Sequence, residues 1–159
     1  MNLKNISKIE IIAVKNDVKE IVVFLSKRYS GEMICTCVNL ETDEKTFSFK
    51  INDEMNAFAE YSEPEKFIYI PNNTILKSGI FNLISEYFNL KKLHPNTHLY
   101  TSEIKIDDFP GRIFEMEVID SKHIKKNEQF NLISKNYPLK PEEIKKCRGN
   151  NGQLRNTVF

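Results

Sequence analysis

The chain has 159 residues, of which 40% are hydrophobic and 28% are charged, and its formal net charge is +1. This composition is close to the average of soluble globular proteins, so it excludes wholesale disorder, and the length suits one ordinary domain or two small ones. No run approaches the ~20 apolar residues of a membrane span, and the first residues lack the apolar core of a signal peptide, so we expect a cytoplasmic protein.

The first fifty residues predict a strand, a helix and a β-hairpin, in that order. The run KIEIIAV is rich in β-branched residues and predicts the strand. Apolar residues recur at helical spacing from Asp17 onward, with Asn16 or Asp17 as a cap and Gly31 as the stop, which predicts the helix. The runs MICTCVNL and KTFSFKI flank the turn-like ETDE and predict the hairpin.

The cysteines do not predict a metal site. Cys35 and Cys37 alternate within a predicted strand, which places them on one face, and Cys147 stands apart from them. A C-x-C pair without a second ligand pair is a poor zinc signature. We therefore interpret Cys35 and Cys37 as buried, small apolar side chains.

The middle of the chain predicts a connector, a strand and a long helix. INDEMNAFAEYSEPEK is acidic and mixed, typical of a connector, and FIYI follows as a strand. An apolar stripe that runs to Phe88 predicts a helix beginning at Asn73 or Thr74, on which Gly79 would permit close backbone approach. We interpret Asn72 as the helix cap rather than as a ligand-reading residue.

The last part of the chain predicts further strands. KLHPNTHLYTSE indicates a loop and then a strand, DDFPGR a turn, and IFEMEVI and QFNLISKNY strands, while KPEEIKK begins a helix. His94 and His98 are four residues apart, but Pro95 and Asn96 disfavour a helix between them. A loop held by hydrogen bonds is thus favoured over a metal site.

Four motifs carry a resemblance to a known family. YIPNNTILKSGIF, LKKLHPNTHLYTS, DFPGRIFEMEV and SKNYPLKPEEIKK occur in the order and approximate spacing of a bacterial family of class I SAM-dependent methyltransferases with a THUMP-like domain. The resemblance extends from about Lys8 to Lys146. It implies an α+β chain in three parts: the end of a methyltransferase-type α/β sheet at residues 1–53, a small ferredoxin-like unit at 54–100 and an incomplete THUMP-like domain at 101–159.

The resemblance implies S-adenosylmethionine as the cofactor of the full-length family protein, but not of this chain. The fold holds this cofactor beside a glycine-rich turn and an acidic residue, and the five glycines here include no G-x-G. We therefore predict no catalytic, cofactor-binding or metal-binding residue. The missing early strands and the divergent ending KCRGNNGQLRNTVF suggest a truncated, split or frameshifted protein, whose catalytic half is absent.

Charge is distributed unevenly, which favours a nucleic-acid partner. Residues 1–121 contain 14 basic and 19 acidic side chains, whereas residues 122–159 contain 9 basic and 3 acidic ones. Lysine and arginine contacts to phosphate supply most sequence-independent nucleic-acid affinity. A solvated basic face would produce the same pattern.

Together with the resemblance, these features predict an RNA-binding surface in a region that recognises substrate without catalysing the reaction. Arginine suits phosphate, and an aromatic ring can stack on a base. The candidate RNA-binding or phosphate-binding residues are Lys77, Lys91, Lys92, His94, His98, Tyr100, Arg112 and Lys135.

Two alternatives remain open. The chain could be a protein-interaction module or an inactive remnant, which would pair with a separate methyltransferase half or with itself through an exposed sheet edge. Some of the cations could also form plain surface ion pairs; Arg112, for example, has Asp107, Asp108 and Glu115 nearby in sequence.

Overall fold

The computed structural model describes residues 4–116, which form two four-stranded sheets and three short helices. The predicted α+β class is therefore confirmed. The predicted strand QFNLISKNY, the helix at KPEEIKK, Lys135 and most of the predicted THUMP-like domain lie outside the described residues.

The first sheet, sheet A, consists of residues from the first third of the chain. Its strands are β1 (Ile6–Val14), β2 (Asp17–Leu25), β3 (Ile34–Leu40) and β4 (Phe47–Lys50), in the spatial order β2-β1-β3-β4. β1 and β3 run parallel, while β2 pairs with β1 and β4 with β3 in antiparallel fashion. The predicted β3–β4 hairpin is confirmed.

The helix predicted from Asp17 to Gly31 is wrong, because residues Asp17–Leu25 form the edge strand β2. Lys15 and Asn16 have φ angles of 49° and 65°, the left-handed geometry of a two-residue hairpin turn, so that Val14 pairs with Asp17. β2 is rich in valine and isoleucine, which favour strands. Pairing with β1 outweighs the helical spacing of its apolar residues.

The second sheet, sheet B, follows a connector that begins with the short helix α1 (Ile51–Asn56). Its strands are β5 (Phe67–Pro71), β6 (Lys91–Lys92), β7 (Tyr100–Ser102) and β8 (Gly111–Glu115), in the order β6-β7-β5-β8. β5 lies in the centre and pairs with both β7 and β8, so the predicted boundary between residues 100 and 101 falls inside this sheet.

The long helix predicted after Asn72 is divided into α2 (Asn73–Ser78) and α3 (Leu83–Tyr87). Gly79 ends α2 with a φ of 82°, and an added Cβ would meet nothing within 4 Å. The glycine is thus required for its left-handed backbone, not for close approach as predicted. The Glu54 carboxylate accepts hydrogen bonds from the backbone N–H groups that open α3, including that of Leu83 at 2.7 Å.

One hydrophobic core joins both sheets through the helices. The Phe47 ring of sheet A packs edge-on against Tyr87 at 4.9 Å and lies 5.9 Å from Phe88, whose ring lies 5.4 Å from that of Phe109. Cys35 and Cys37 are buried in this core as free thiols, as predicted. A hydrogen bond to Cys37, together with burial, raises the pKa of the Cys35 thiol.

A second connection between the sheets is polar, and we name it the asparagine latch: Asn16, Asn39, Glu44, Asn72 and Asn73. Glu44 Oε2 accepts hydrogen bonds from Asn39 Nδ2 at 2.8 Å and Asn72 Nδ2 at 2.5 Å. Asn39 Oδ1 accepts from the backbone N–H of Asn16 at 2.8 Å. Asn16 accepts from Asn73 twice, through its side chain at 2.7 Å and its backbone carbonyl at 2.6 Å.

The latch also positions α2. Asn72 Oδ1 accepts from the backbone N–H of Ile75 at 3.0 Å and from the Thr74 hydroxyl at 2.7 Å, which confirms Asn72 as the helix cap. Asn39 and Asn72 are both buried. Asn39 forms both of its amide hydrogen bonds within the first fifty residues, whereas the buried Asn72 Nδ2 group gains its acceptor, Glu44, only when the two sheets are assembled.

Substitution of Gly111 tests the tight contact between β5 and β8. A Cβ at this position would lie 2.2 Å from the Ile70 carbonyl oxygen. We expect Gly111→Ala to lower the free energy of unfolding by about 1–3 kcal/mol, since the backbone of β5 must move. The measurement is urea denaturation of the whole chain. As a control, Gly31→Ala would crowd only the Tyr29 side chain, and equal losses in both variants would contradict the explanation.

Paired substitutions test the latch. We expect Asn39→Ala and Asn72→Ala each to lower the free energy of unfolding by about 1–3 kcal/mol, because each leaves buried groups without a partner. Because both amides bind the same Glu44 oxygen, the two losses should differ from additivity by about 0.5 kcal/mol or more in the double variant. Asn56→Ala, at an exposed helix end, is the control, and strict additivity would argue against a shared carboxylate.

Candidate functional site

A cavity of about 270 Å³ opens where the two sheets meet, and we name it the junction cavity. It lies beyond the carboxyl ends of the parallel strands β1 and β3, where ligands of open α/β sheets commonly bind. Its lining residues are Lys15, Asn16, Asn39, Thr42, Glu44, Ile70, Pro71, Asn72, Gly111 and Arg112. The latch therefore forms one wall of the cavity and β5 with β8 another.

The junction cavity contains charged groups of both signs. Arg112 is exposed, and its guanidinium carbon lies 5.9 Å from the centre of the Phe114 ring. Its three predicted acidic partners bind lysines instead: Asp107 binds Lys105, Asp108 binds Lys45 and Glu115 binds Lys66. Within residues 4–116, Arg112 has no ion pair, so its charge remains available to a ligand.

Sheet B contributes Ile70, Pro71, Gly111 and Arg112 to the cavity lining, and the first two of these are apolar. Pro71 pairs with Gly111 across the sheet, next to the pair formed by Ile70 and Arg112. No side chain projects from Gly111, and none could, given the proximity of the Ile70 carbonyl.

A second cavity, of about 420 Å³, lies on the inner face of sheet A beside α1 and α2. Apolar residues dominate its lining, among them Ile9, Ile21, Phe49 and Met55, and Lys77 is one of its few charged residues. Lys77 and Arg112 therefore line two different cavities, so the predicted cations do not form one continuous patch.

Two of the predicted RNA-binding residues are buried, and the structure corrects both. Tyr100 is 0% exposed and donates its hydroxyl to the Phe81 carbonyl at 2.9 Å, so it cannot stack on a base. Burial raises the pKa of Tyr100. Lys92 is 3% exposed, and its ammonium donates to the Pro95 carbonyl at 3.4 Å. Burial lowers the pKa of Lys92 and removes it from contact with phosphate.

The remaining predicted residues near the loop after β6 have partners inside the protein. Lys91 forms an ion pair with Glu65 at 2.6 Å, and this hydrogen bond raises the pKa of Lys91. The His98 ring stacks on Phe81, with ring centres 3.7 Å apart, and His94 Nδ1 accepts from the Asn96 backbone at 3.1 Å. The predicted loop conformation is confirmed. In residues 4–116, no three metal-ligating side chains lie close enough together to hold an ion.

Of the residues that line the junction cavity, the sequence predicted only Arg112 as a binding residue, while Asn72 was interpreted as a helix cap. Glu44 lies in a turn whose residues are typical of a β-hairpin, and Asn39 is a polar residue near the end of an apolar strand. A polar residue at such a strand end signals a ligand crevice only when the strand has a parallel neighbour. The parallel pairing of β1 with β3 is known only from the tertiary structure. The position of Asn39 at a strand end therefore could not be recognised from the sequence as part of a ligand crevice.

None of the helices in the described part of the chain is both long enough and apolar enough to cross a membrane.

Comparison with known proteins agrees with part of the family resemblance. A family profile for a ferredoxin-like domain matches residues 67–110. A search of curated proteins finds no match to this chain. A crystal structure described as a putative methyltransferase from Porphyromonas gingivalis W83 matches with 27% sequence identity and a TM-score of 0.75.

That structural match covers 96% of this chain, whereas this chain spans 40% of the Porphyromonas gingivalis protein. The ferredoxin-like match covers β5, both helices that follow it, β6 and β7. The chain thus contains a ferredoxin-like domain, and it is similar to part of that putative methyltransferase.

Proposed function

We propose that this chain is the substrate-recognition region of a cytoplasmic, SAM-dependent RNA methyltransferase, and that SAM binding and catalysis belong to other parts of the enzyme. The observation that carries the proposal is the similarity to the Porphyromonas gingivalis protein along almost the whole chain. The four motifs that resemble the class I methyltransferase family with a THUMP-like domain support it further.

The basic residues that lie outside the internal ion pairs support RNA as the substrate. Eight lysines of residues 4–116 have a carboxylate within 3.9 Å, so most of the positive charge in this part of the chain is neutralised internally. Two exposed cations without such a partner in these residues are Lys77 and Arg112, each at a cavity. Residues 122–159 add nine basic side chains, Lys135 among them, against three acidic ones.

Salt dependence tests the RNA proposal. We expect the affinity of the whole chain for a single-stranded RNA of about 20 nucleotides to fall as salt rises, since each phosphate contact adds about −0.7 to the logarithmic slope. Arg112→Ala and Lys135→Ala should each reduce that slope by about 0.7 if the residue contacts phosphate. Lys50→Ala is the control, because Lys50 is already paired with Glu32. Binding that is independent of salt would contradict the proposal.

A second candidate function is protein association through β2. This nine-residue strand pairs only with β1 within the described residues, so its other edge is open there. Four large apolar side chains on it are exposed: Ile21, Val23, Phe24 and Leu25. Long apolar edge strands are templates for pairing with another chain, whether a second copy or a separate methyltransferase half.

Light scattering tests this association. We expect the wild-type chain to increase in mean mass with concentration and the double variant Ile21→Lys with Leu25→Lys to remain monomeric, because lysines on an edge oppose strand pairing. Ile104→Lys is the matched control, since Ile104 is 78% exposed and lies outside sheet A. A wild-type chain that is monomeric at all concentrations would rule out self-association.

A further inference from the structure

The junction cavity contains two opposite charges that do not neutralise each other. Glu44 and Arg112 both line it, and neither has an ion pair, with the other or with any residue in the range 4–116. Nearby, Lys15 binds Glu41 at 3.1 Å. A half-buried carboxylate accepts hydrogen bonds, and a guanidinium donates them. A cavity that contains both groups without contact between them suits a ligand with one hydrogen-bond donor edge and one acceptor edge.

The latch fixes the orientation of the Glu44 carboxylate. Both amides of the latch donate to Oε2, at 2.8 Å from Asn39 and 2.5 Å from Asn72. None of the hydrogen bonds within the described part of the chain uses Oε1. The carboxylate is therefore held in place by one oxygen and has the other free for a ligand donor.

The size of the cavity favours a single ring system as its ligand. Its volume of about 270 Å³ is just below the range of about 300–1,000 Å³ typical of small-molecule sites. Pro71 and Gly111 pair across sheet B and both line the cavity, and Gly111 adds no side chain that would take up space there. A base fits these limits better than a whole nucleotide with its sugar and phosphate inside.

Guanine matches both charged groups. Its O6 and N7 atoms form the acceptor pair to which arginine binds in a bidentate manner. Its N1–H and N2–H₂ groups form a donor edge, from which a carboxylate can accept hydrogen bonds. Adenine offers arginine no such acceptor pair, because its N6 amino group stands where guanine has O6.

We infer that the junction cavity binds the guanine base of an unpaired RNA nucleotide, with Arg112 at O6 and N7 and Glu44 Oε1 at the N1–H and N2–H₂ edge. This inference rests on the proposed RNA-binding function. The ribose and phosphate would remain outside the cavity, on the side open to solvent.

The experiment measures binding of the whole chain to U-rich RNA hexamers with one central guanine, adenine, inosine or 7-deazaguanine. We expect the guanine hexamer to bind about tenfold or more tightly than the adenine hexamer. Removal of N7 in 7-deazaguanine should weaken binding to the wild type but have no further effect on Arg112→Ala. Removal of the N2 amino group in inosine should weaken binding to the wild type but should not weaken binding to Glu44→Gln.

Arg28→Ala is the matched control, since Arg28 is exposed and lies outside the cavity lining. It should bind the guanine hexamer as the wild type does. Because the base analogues change the RNA rather than the protein, they test the contacts even if Glu44→Gln fails to fold.

The possible results distinguish failure of the guanine site from failure of the proposed RNA-binding function. Equal binding of the guanine and adenine hexamers would overturn the guanine site and leave RNA binding intact. If no hexamer binds, titration with free GMP decides: saturable binding abolished by Arg112→Ala supports the guanine site and contradicts the RNA function. No binding of GMP or RNA overturns both.

Discussion

The shared hydrogen bonding of one carboxylate underlies the arrangement of the two sheets. Glu44 accepts from Asn39 in sheet A and from Asn72, which directly follows the central strand of sheet B. Hydrogen bonds to a charged group contribute about 1.5–3 kcal/mol each, and a buried amide without its partner costs about as much. The two sheets therefore assemble in one relative position, in which the cap of α2 and the walls of the junction cavity form together.

The hydrophobic core alone would not fix the relative position of the two sheets. Aromatic rings such as Phe47, Phe88 and Phe109 join the sheets through contacts that tolerate small shifts. Hydrogen bonds weaken steeply with distance and angle, so the latch selects one arrangement among those that the core permits. Stability comes mainly from the core, and the geometry of the cavity comes from the latch.

The internal pairing of charge shapes the interpretation of function. Lysines that look like phosphate contacts in the sequence, such as Lys91, are neutralised by carboxylates brought near by the fold. Surface pairs of this kind add little stability, but they lower the positive potential toward a polyanion. Arg112 is accessible to a ligand because it is exposed, lines a cavity and lies over an aromatic ring rather than in an ion pair.

Local sequence patterns determined the elements whose stability is itself local. The β3–β4 hairpin follows from alternation and turn residues, and the cap at Asn72 follows from the chemistry of its side chain, so both could be predicted. The burial of Cys35 and Cys37 follows from their alternation on an apolar strand. The loop at His94 and His98 follows from the proline between them.

Tertiary structure decided the features that depend on partners distant in the sequence. β2 is a strand because β1 offers it a hydrogen-bonding edge, although its apolar spacing also fits a helix. Tyr100 and Lys92 are buried because β6 and β7 lie in a sheet that the sequence pattern does not reveal. The junction cavity exists because β1 and β3 run parallel and Glu44 reaches Asn72 across 28 positions of sequence. The residue pattern of a segment indicates the local structure that the segment itself favours. Pairing between segments that are distant in sequence depends instead on the free energy of the whole folded chain.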